Sequence, residues 1–259
     1  MRMITLTKKK VKRLTAIGLL AAATAAAGVG AILTSVGTQA TERQLPVYCV
    51  ERGDNKISLT FDVAWENSNT QELIDILDEY DARATFFVTG DWCDRYPDDI
   101  KMFADAGHEI QNHSDVHPHV KGMNVNDLIT DTKSASQKIK DITGTEPTLY
   151  RAPYGEYDDH VISAIRSMGM EPIQWDVDSL DWKDYDAATI TQRVTEKVGP
   201  GSIVLFHNAA LHTPEALPGI LEYLLGQGYS IVPVSQLVLS GEEGTDYTID
   251  HTGRQCPLP

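Results

Sequence analysis

Cysteine is scarce in this chain: 259 residues contain three, Cys49, Cys93 and Cys256. Three scattered thiols exclude a disulfide framework and a cysteine-based metal site, and allow one bridge at most. Basic charge is scarce as well, once its location is considered. Of the 22 Lys and Arg, seven lie in the segment through Gln44 with one of the 37 acids, so the remainder carries 15 bases against 36 acids. A body that acidic repels a phosphate backbone, which argues against nucleic acid as a partner. Internal repeats and low-complexity tracts are missing beyond the N-terminal segment, and 42% hydrophobic residues are enough for a buried core.

The N-terminal segment has its own logic. A basic cluster, Lys8 to Arg13, precedes an uncharged run from Thr15 to Gly37 made mostly of Ala, Leu, Ile, Val and Gly. That run is long enough to span a bilayer and longer than the apolar centre of most cleaved signal peptides. It reads as a signal-anchor or transmembrane helix over 15–37, after a basic cytoplasmic segment over 1–14. The excess of cations before it places the body outside the cell, on the membrane or, if the segment is cleaved near Thr38-Gln39-Ala40, secreted.

A polar connector over 38–55, with Leu45 to Tyr48 as a short edge strand, leads into alternating elements. Ile57 to Phe61 alternates as a strand does, Gln71 to Tyr80 places Leu73, Ile74 and Leu77 on one helical face, and Ala84 to Val88 is a second strand. Pro97 opens a helix that Gly107 closes before a third strand at His108 to Ile110. Helices follow over Val125 to Ile142, Tyr157 to Met168, Ala187 to Val198 and Glu215 to Gly226. Strands are expected at Pro172 to Val177, Ser202 to Phe206 and Ser230 to Val232, and 241–259 reads as an irregular tail. Strands alternating with helices imply a parallel α/β sheet, doubly wound or closed into a barrel, with functional groups at the C-terminal ends of its strands.

Candidate residues fall at those ends. Asp62 follows the first strand, where a carboxylate can activate water, bind a metal or cap a turn. Asn112-His113-Ser114-Asp115-Val116-His117-Pro118 carries two imidazoles three residues apart, half of a metal site or a surface pair. Arg151-Ala152-Pro153-Tyr154-Gly155 sets a cation beside a rigid turn that can present a backbone N–H to an oxyanion. Trp175 to Trp182 gathers Asp176, Asp178 and Asp181 between two tryptophans, a composition suited to sugar rings. His207 ends the last apolar run, placed as a general acid or as a structural histidine.

These five segments, in this order, resemble the polysaccharide deacetylase family (carbohydrate esterase family four, with the chitooligosaccharide deacetylase homology domain). Its pattern is Thr-Phe-Asp-Asp, His-Ser/Thr-x-x-His, Arg-x-Pro-Tyr/Phe, Asp-x-x-Asp-Trp and Leu-x-His. The resemblance covers a catalytic domain over 56–240 and implies a distorted (β/α) barrel with about seven parallel strands. It implies a hydrolase of linear amides that removes N-acetyl groups from the amino sugars of a cell-wall polysaccharide such as peptidoglycan. The partners it implies are that polymer and, through the N-terminal helix, the membrane, with a monomeric catalytic domain. By position, Asp62 matches the general base, Arg151 the residue that holds it, and His207 the general acid, which Asp181 keeps protonated. The backbone at Tyr154 matches the oxyanion donor, and Trp182 and Leu205 match the walls of the acetyl pocket. His113 and His117 match ligands of a divalent metal, zinc foremost.

One position departs from the pattern. Val63 stands where the family has its second aspartate, the third metal ligand, so an ion must take an oxygen from Asp62, Glu66 or solvent. The string Phe61 to Trp65, with Phe206-His207-Asn208 and Thr213 to Leu217, is similar to a sporulation and cell-wall subgroup, although Glu66 replaces a glycine there. The competing expectation is a degenerate module that binds glycan at the cell surface without hydrolysing it.

Overall fold

The structure, a computed structural model, describes residues 43–259. The anchor expected over 15–37 and the basic segment before it lie outside the described residues. Among the described residues no helix is long and apolar enough to cross a membrane.

A short strand β1 (Cys49–Val50) precedes the long strand β2 (Lys56–Val63). Nearly every residue of β2 is buried, because both faces of a parallel strand are covered. Ile57, Leu59, Phe61 and Val63 join the main apolar core, whereas the alternate residues Ser58, Thr60 and Asp62 face the inside of the curl. Helix α1 (Thr70–Glu79) buries Leu73, Ile74 and Leu77 against that core and leads to β3 (Thr85–Val88). Two helices follow. The first, α2 (Gly90–Arg95), has no counterpart in the apolar periodicity; Thr89 starts it by accepting the Trp92 N–H. The second, α3 (Pro97–Asp105), opens on its proline as expected.

Strand β4 (Glu109–Asn112) leads through the two-histidine segment to α4 (Val125–Thr143), which is capped by the Asn124 side chain and ended by left-handed Gly144. Next come β5 (Leu149–Tyr150), then α5 (Asp159–Ser167), which starts on an Asp158 cap rather than at Tyr157. The single strand expected over Pro172 to Val177 is two, β6 (Glu171–Pro172) and β7 (Val177–Asp178), on opposite edges of the sheet. Helix α6 (Ala187–Thr195), strand β8 (Ile203–His207), helix α7 (Thr213–Gly226), strand β9 (Ser230–Ile231) and a short helix α8 (Val234–Leu237) complete the alternation.

Seven parallel strands in the order β6-β5-β4-β3-β2-β8-β7 form the curled half-barrel, and β9 adds to the start of β2. Its two edges come from one stretch of chain, so residues between Ile173 and Asp176 cross the seam. They are met there by the N-terminal connector: the Val47 N–H donates to Pro172 O (2.9 Å), Gln174 N–H to Val47 O (2.7 Å) and Val50 N–H to Gly201 O (3.0 Å). Those bonds satisfy backbone groups that edge strands would otherwise leave open. The tail is not irregular. It carries β10 (Tyr247–Ile249) and β11 (Arg254–Pro257), which with β1 make a second, three-stranded sheet in order β1-β11-β10.

Inside the curl, Val47, Val50, Phe87, Leu149, Ile173, Ile203, Val234 and Leu237 form an apolar plug towards the N-terminal ends of the strands. Polar groups are thereby concentrated at the opposite ends. Gly201 is critical to the seam: its φ is +83°, and a Cβ there would lie 1.8 Å from the Val50 carbonyl oxygen. Gly201→Ala should lower stability by about 2 kcal/mol or more, since it adds a left-handed alanine to a backbone clash. Thermal unfolding reads this directly, and an unchanged midpoint would show that the connector does not close the seam.

Candidate active site

On the inner face of β2 the side chains become progressively more engaged towards the strand's C-terminal end. Ser58 Oγ donates to Val232 O and Thr60 Oγ1 to Val204 O, each at 2.7 Å. Asp62 is last in the row, and Arg151, the residue after β5, reaches it through the barrel. One Arg151 nitrogen, Nη1, donates to Thr60 Oγ1 (2.8 Å) and Asp62 Oδ1 (2.9 Å), and Nη2 donates to Gln174 O (3.0 Å). The guanidinium lies 4.1 Å from the Phe87 ring centroid and 5.5 Å from that of Trp175. Both charges are buried. Burial alone would raise the Asp62 pKa, but His113, Arg151 and His207 outweigh it and hold the carboxyl below its ordinary value, so it is ionised.

His113 follows β4 and turns its ring towards Asp62. Its Nδ1 lies 2.8 Å from the Arg151 carbonyl oxygen. A carbonyl only accepts, so Nδ1 carries the proton and Nε2 presents a lone pair, 3.5 Å from Asp62 Oδ2. His117 stands beside it, ring centroids 5.0 Å apart. Burial lowers the pKa of both imidazoles, that of His117 to about 4 with His113 as the second cause. A tethered Nδ1–H with a free Nε2 is how a ligating histidine is held. The available donors are therefore two imidazoles with one carboxylate oxygen beside them. Among the described residues no group of three or more His, Cys, Asp or Glu is drawn together as a ready-made cage. Val63 supplies no donor and is fully buried in the outer core.

Across the cleft, Asp181 is fully buried beneath His207. Its Oδ1 is 2.7 Å from His207 Nδ1, while Oδ2 accepts the His207 N–H (2.8 Å) and the Thr213 hydroxyl (2.7 Å). Burial pushes the His207 pKa down, but the hydrogen bond and charge of Asp181, helped by Asp62 and Asp178, carry it above the ordinary value. The loop that delivers Asp181 is tightly wound. Leu180 and Asp184 on either side of the 3₁₀ turn Asp181–Lys183 are left-handed (φ 55° and 54°), Leu180 N–H donates to Asp178 Oδ1 (2.8 Å), and Arg193 Nε donates to Ser179 O (3.2 Å).

A cleft of about 670 Å³ opens between these groups. Asp62, His113, His117, Tyr154, Trp182, Leu205 and His207 line it, and Arg151 and Asp181 stand directly behind Asp62 and His207. All nine residues singled out in the sequence thus meet in one place. Tyr154 is left-handed (φ 58°), and its half-exposed ring lies between His117 and His119, with centroids 4.5 and 4.3 Å away. Leu205 is a buried wall and Trp182 an exposed one.

Four contributors escaped the sequence reading. Thr60 and Thr213 belong to motif strings, but their hydroxyls gain a task only when the barrel brings Arg151 and Asp181 to them. Trp175 and Trp65 were seen only as parts of motifs. Trp65 lies over the cleft, its ring 5.3 Å from His207 and 6.2 Å from His117, and a tryptophan just past a strand end was the signal available for it.

Comparison with known proteins follows the same lines. The family model "Polysaccharide deacetylase" matches residues 50–173. The peptidoglycan-N-acetylmuramic acid deacetylase PdaC of Bacillus subtilis is 36% identical over 188 residues, 73% of this chain but 40% of that protein's length. A second protein of B. subtilis, the peptidoglycan-N-acetylmuramic acid deacetylase PdaA, is 30% identical, covering 73% of each chain. Among solved structures, a CE4 family pseudoenzyme from Bacillus anthracis superposes with a TM-score of 0.72 at 32% identity, covering 74% of this chain and 68% of that one. With its half-barrel, its ordered motifs and these relatives, the chain belongs to the polysaccharide deacetylase family.

Proposed function

We propose that the cleft removes N-acetyl groups from the amino sugars of a cell-wall polysaccharide, peptidoglycan or a similar N-acetylglucosamine polymer. One observation carries this reading: a carboxylate, Asp62, paired with buried Arg151, and an imidazole, His207, paired with buried Asp181, face the same cleft, the first pairing favouring the ionised carboxylate and the second the protonated imidazole. Amide hydrolysis needs that opposition, a base for the attacking water and an acid for the leaving amine.

The acetamido methyl fits against Leu205 and Trp182, and the backbone N–H of Tyr154 donates to the carbonyl oxygen as negative charge gathers on it. Asp62 Oδ2 takes a proton from water as the oxygen bonds to the carbonyl carbon. His207 Nε2 then gives its proton to the nitrogen as the C–N bond breaks, and acetate and a free amine leave. Thr60 and Arg151 keep Asp62 aimed, since Oδ1 is engaged and only Oδ2 is free to act. His113 and His117 would hold a divalent ion, zinc foremost, with Asp62 the nearest carboxylate. Such an ion, when bound, supplies Lewis acidity that polarises the amide and acidifies water. The apolar run over 15–37, read as an anchor or as a cleaved export signal, puts this chemistry outside the membrane.

A second reading, a glycan-binding module without turnover, is favoured by Val63 and by the likeness to a pseudoenzyme. The paired acid and base speak against it, because binding alone requires neither. Acetate release from N-acetylglucosamine oligomers and peptidoglycan, with zinc or cobalt supplied, separates the two. Turnover that falls about 10²–10⁴-fold in Asp62→Asn and His207→Ala supports the enzyme; glycan binding with no acetate under any divalent ion supports the module. Asn is the informative replacement at Asp62. Asp62→Ala strands a buried guanidinium and should cost about 3–5 kcal/mol of stability.

The pH profile gives a separate check. His207 must be protonated, and Asp181 raises its pKa, so activity is present at lower pH and fails as pH rises through that value. Asp181→Asn removes the raising charge, and the alkaline limb of kcat/KM should move to lower pH. A limb that stays in place would take the proton-donor role from His207.

A further inference from the structure

The segment His113 to His117 is held in an unusual shape. Ser114 (φ 71°) and His117 (φ 54°) are both left-handed, a conformation that costs non-glycine residues about 1–2 kcal/mol each. Something must over-determine it, and the backbone bonds show what. Five consecutive N–H groups are captured. That of His113 donates to Val88 O (3.0 Å), Ser114 to Asn112 Oδ1 (2.7 Å), Asp115 to Asp131 Oδ2 (2.9 Å), Val116 to Asp131 Oδ1 (3.4 Å) and His117 to Ser114 Oγ (3.0 Å).

The carbonyl side is held from the opposite direction. Gly90 and Asp91 N–H donate to Ser114 O (3.0 Å) and Asp115 O (2.8 Å). Gly90 permits that approach, for a Cβ there would meet Asp115 Oδ1 at 1.7 Å. Helix α4 supplies the rest. Asn112 Nδ2 donates to Thr132 O (2.8 Å) and Ser136 Oγ (2.9 Å), Ser134 Oγ donates to Asp115 Oδ2 (2.9 Å), and Lys138 Nζ lies 2.8 Å from Asp115 Oδ1.

We infer that Asp131, which touches neither the cleft nor the two histidines, is a positioning residue that sets the His117 imidazole beside His113 by clamping the intervening backbone. Among the described residues it is the one side chain that accepts two of the segment's N–H groups, and it does so from a helix whose Leu128 and Ile139 are packed in the apolar clusters. Without it, the Asp115 and Val116 N–H groups lose their acceptor, the backbone leading into the left-handed turn at His117 keeps only the Ser114 Oγ, Gly90 and Asp91 bonds, and the separation of the two imidazoles is less tightly fixed. The inference rests on the reading that these imidazoles bind a divalent ion.

The test uses the full chain in wild-type, Asp131→Ala, Asp131→Asn and His113→Ala forms. Zinc affinity is measured by competition with a chromophoric chelator, the visible spectrum is recorded with cobalt(II), and unfolding is followed in excess chelator. Asp131→Ala should weaken zinc by about 10–100-fold, the range for residues that orient ligands, and change the cobalt spectrum while the metal-free protein remains folded. Asp131→Asn, which keeps one acceptor oxygen, should recover most of the affinity. Wild-type binding that needs His113 but is unchanged within twofold in Asp131→Ala overturns the clamp alone. So does an affinity loss that only follows the unfolded fraction. A wild-type chain that binds neither ion, or binds equally in His113→Ala, removes the metal reading and this role with it.

Discussion

A guanidinium with no solvent exposure, paired to a buried carboxylate that keeps one edge open to the cleft, is the constraint on which the upper half of this barrel depends. Taking either charge out of water alone would cost several kcal/mol, so neither Arg151 nor Asp62 is tolerable without the other. The pair also dictates its surroundings. Thr60 adds an acceptor to the guanidinium, Gln174 lends a carbonyl, and two aromatic rings cover its faces. Phe87 belongs equally to the apolar plug below, so the boundary between packed core and polar cleft passes through the face of one phenyl ring.

The second half of the site repeats the idea with the charges exchanged. Here a buried carboxylate, Asp181, supports a more accessible imidazole, whereas on β2 a buried cation supports a carboxylate. Each supporting residue leaves its partner one free atom towards the cleft: Oδ2 of Asp62 and Nε2 of His207. Since β2 and β8 are neighbours with Asp62 and His207 in register, the sheet itself sets the two functional groups side by side. The carboxylate and the imidazole proposed as base and acid are thus set side by side by strand pairing, with no mobile loop needed to assemble them.

Much of this was legible in the sequence for physical reasons that can be named. The period-two alternation of Ile57 to Phe61 and the 3.6-residue spacing of Leu73, Ile74 and Leu77 reflect burial on one face, and both elements form where they were expected. The nine site residues were legible because they stand at strand ends, where a parallel α/β sheet gathers its functional groups, and because five motifs in order resemble a known family. What escaped depended on partners distant in sequence. Pro172 to Val177 looks like one apolar strand, yet it spans the seam and is divided by bonds from Val47 that no local pattern announces. The tail looks irregular because β10 and β11 are short and find a third strand about 200 residues earlier, in β1. Helix α2 is too short and too polar for periodicity to reveal. Asp131 has no local signal, and Thr60 and Thr213 stand in motif strings that say nothing of their hydroxyls, which acquire meaning only from what the fold brings to them.

On the proposed reading, the shortage of metal donors bears on the same atom that the base chemistry needs. Arg151 occupies Oδ1 of Asp62, and Oδ2 is the oxygen that faces His113. If Oδ2 were drawn fully into a metal's coordination shell, its electron density would be shared and its strength as a base would fall. If it stayed free for water, the two imidazoles would carry the ion with solvent oxygens alone. A second carboxylate after Asp62 would separate those tasks, but on this backbone residue 63 belongs to the outer face of β2, where Val63 packs with the main core. The strand's alternation therefore opposes a simple exchange of roles. With Oδ1 tied and residue 63 turned outward, the proposed roles of ligand and base both fall on one oxygen atom, Oδ2 of Asp62.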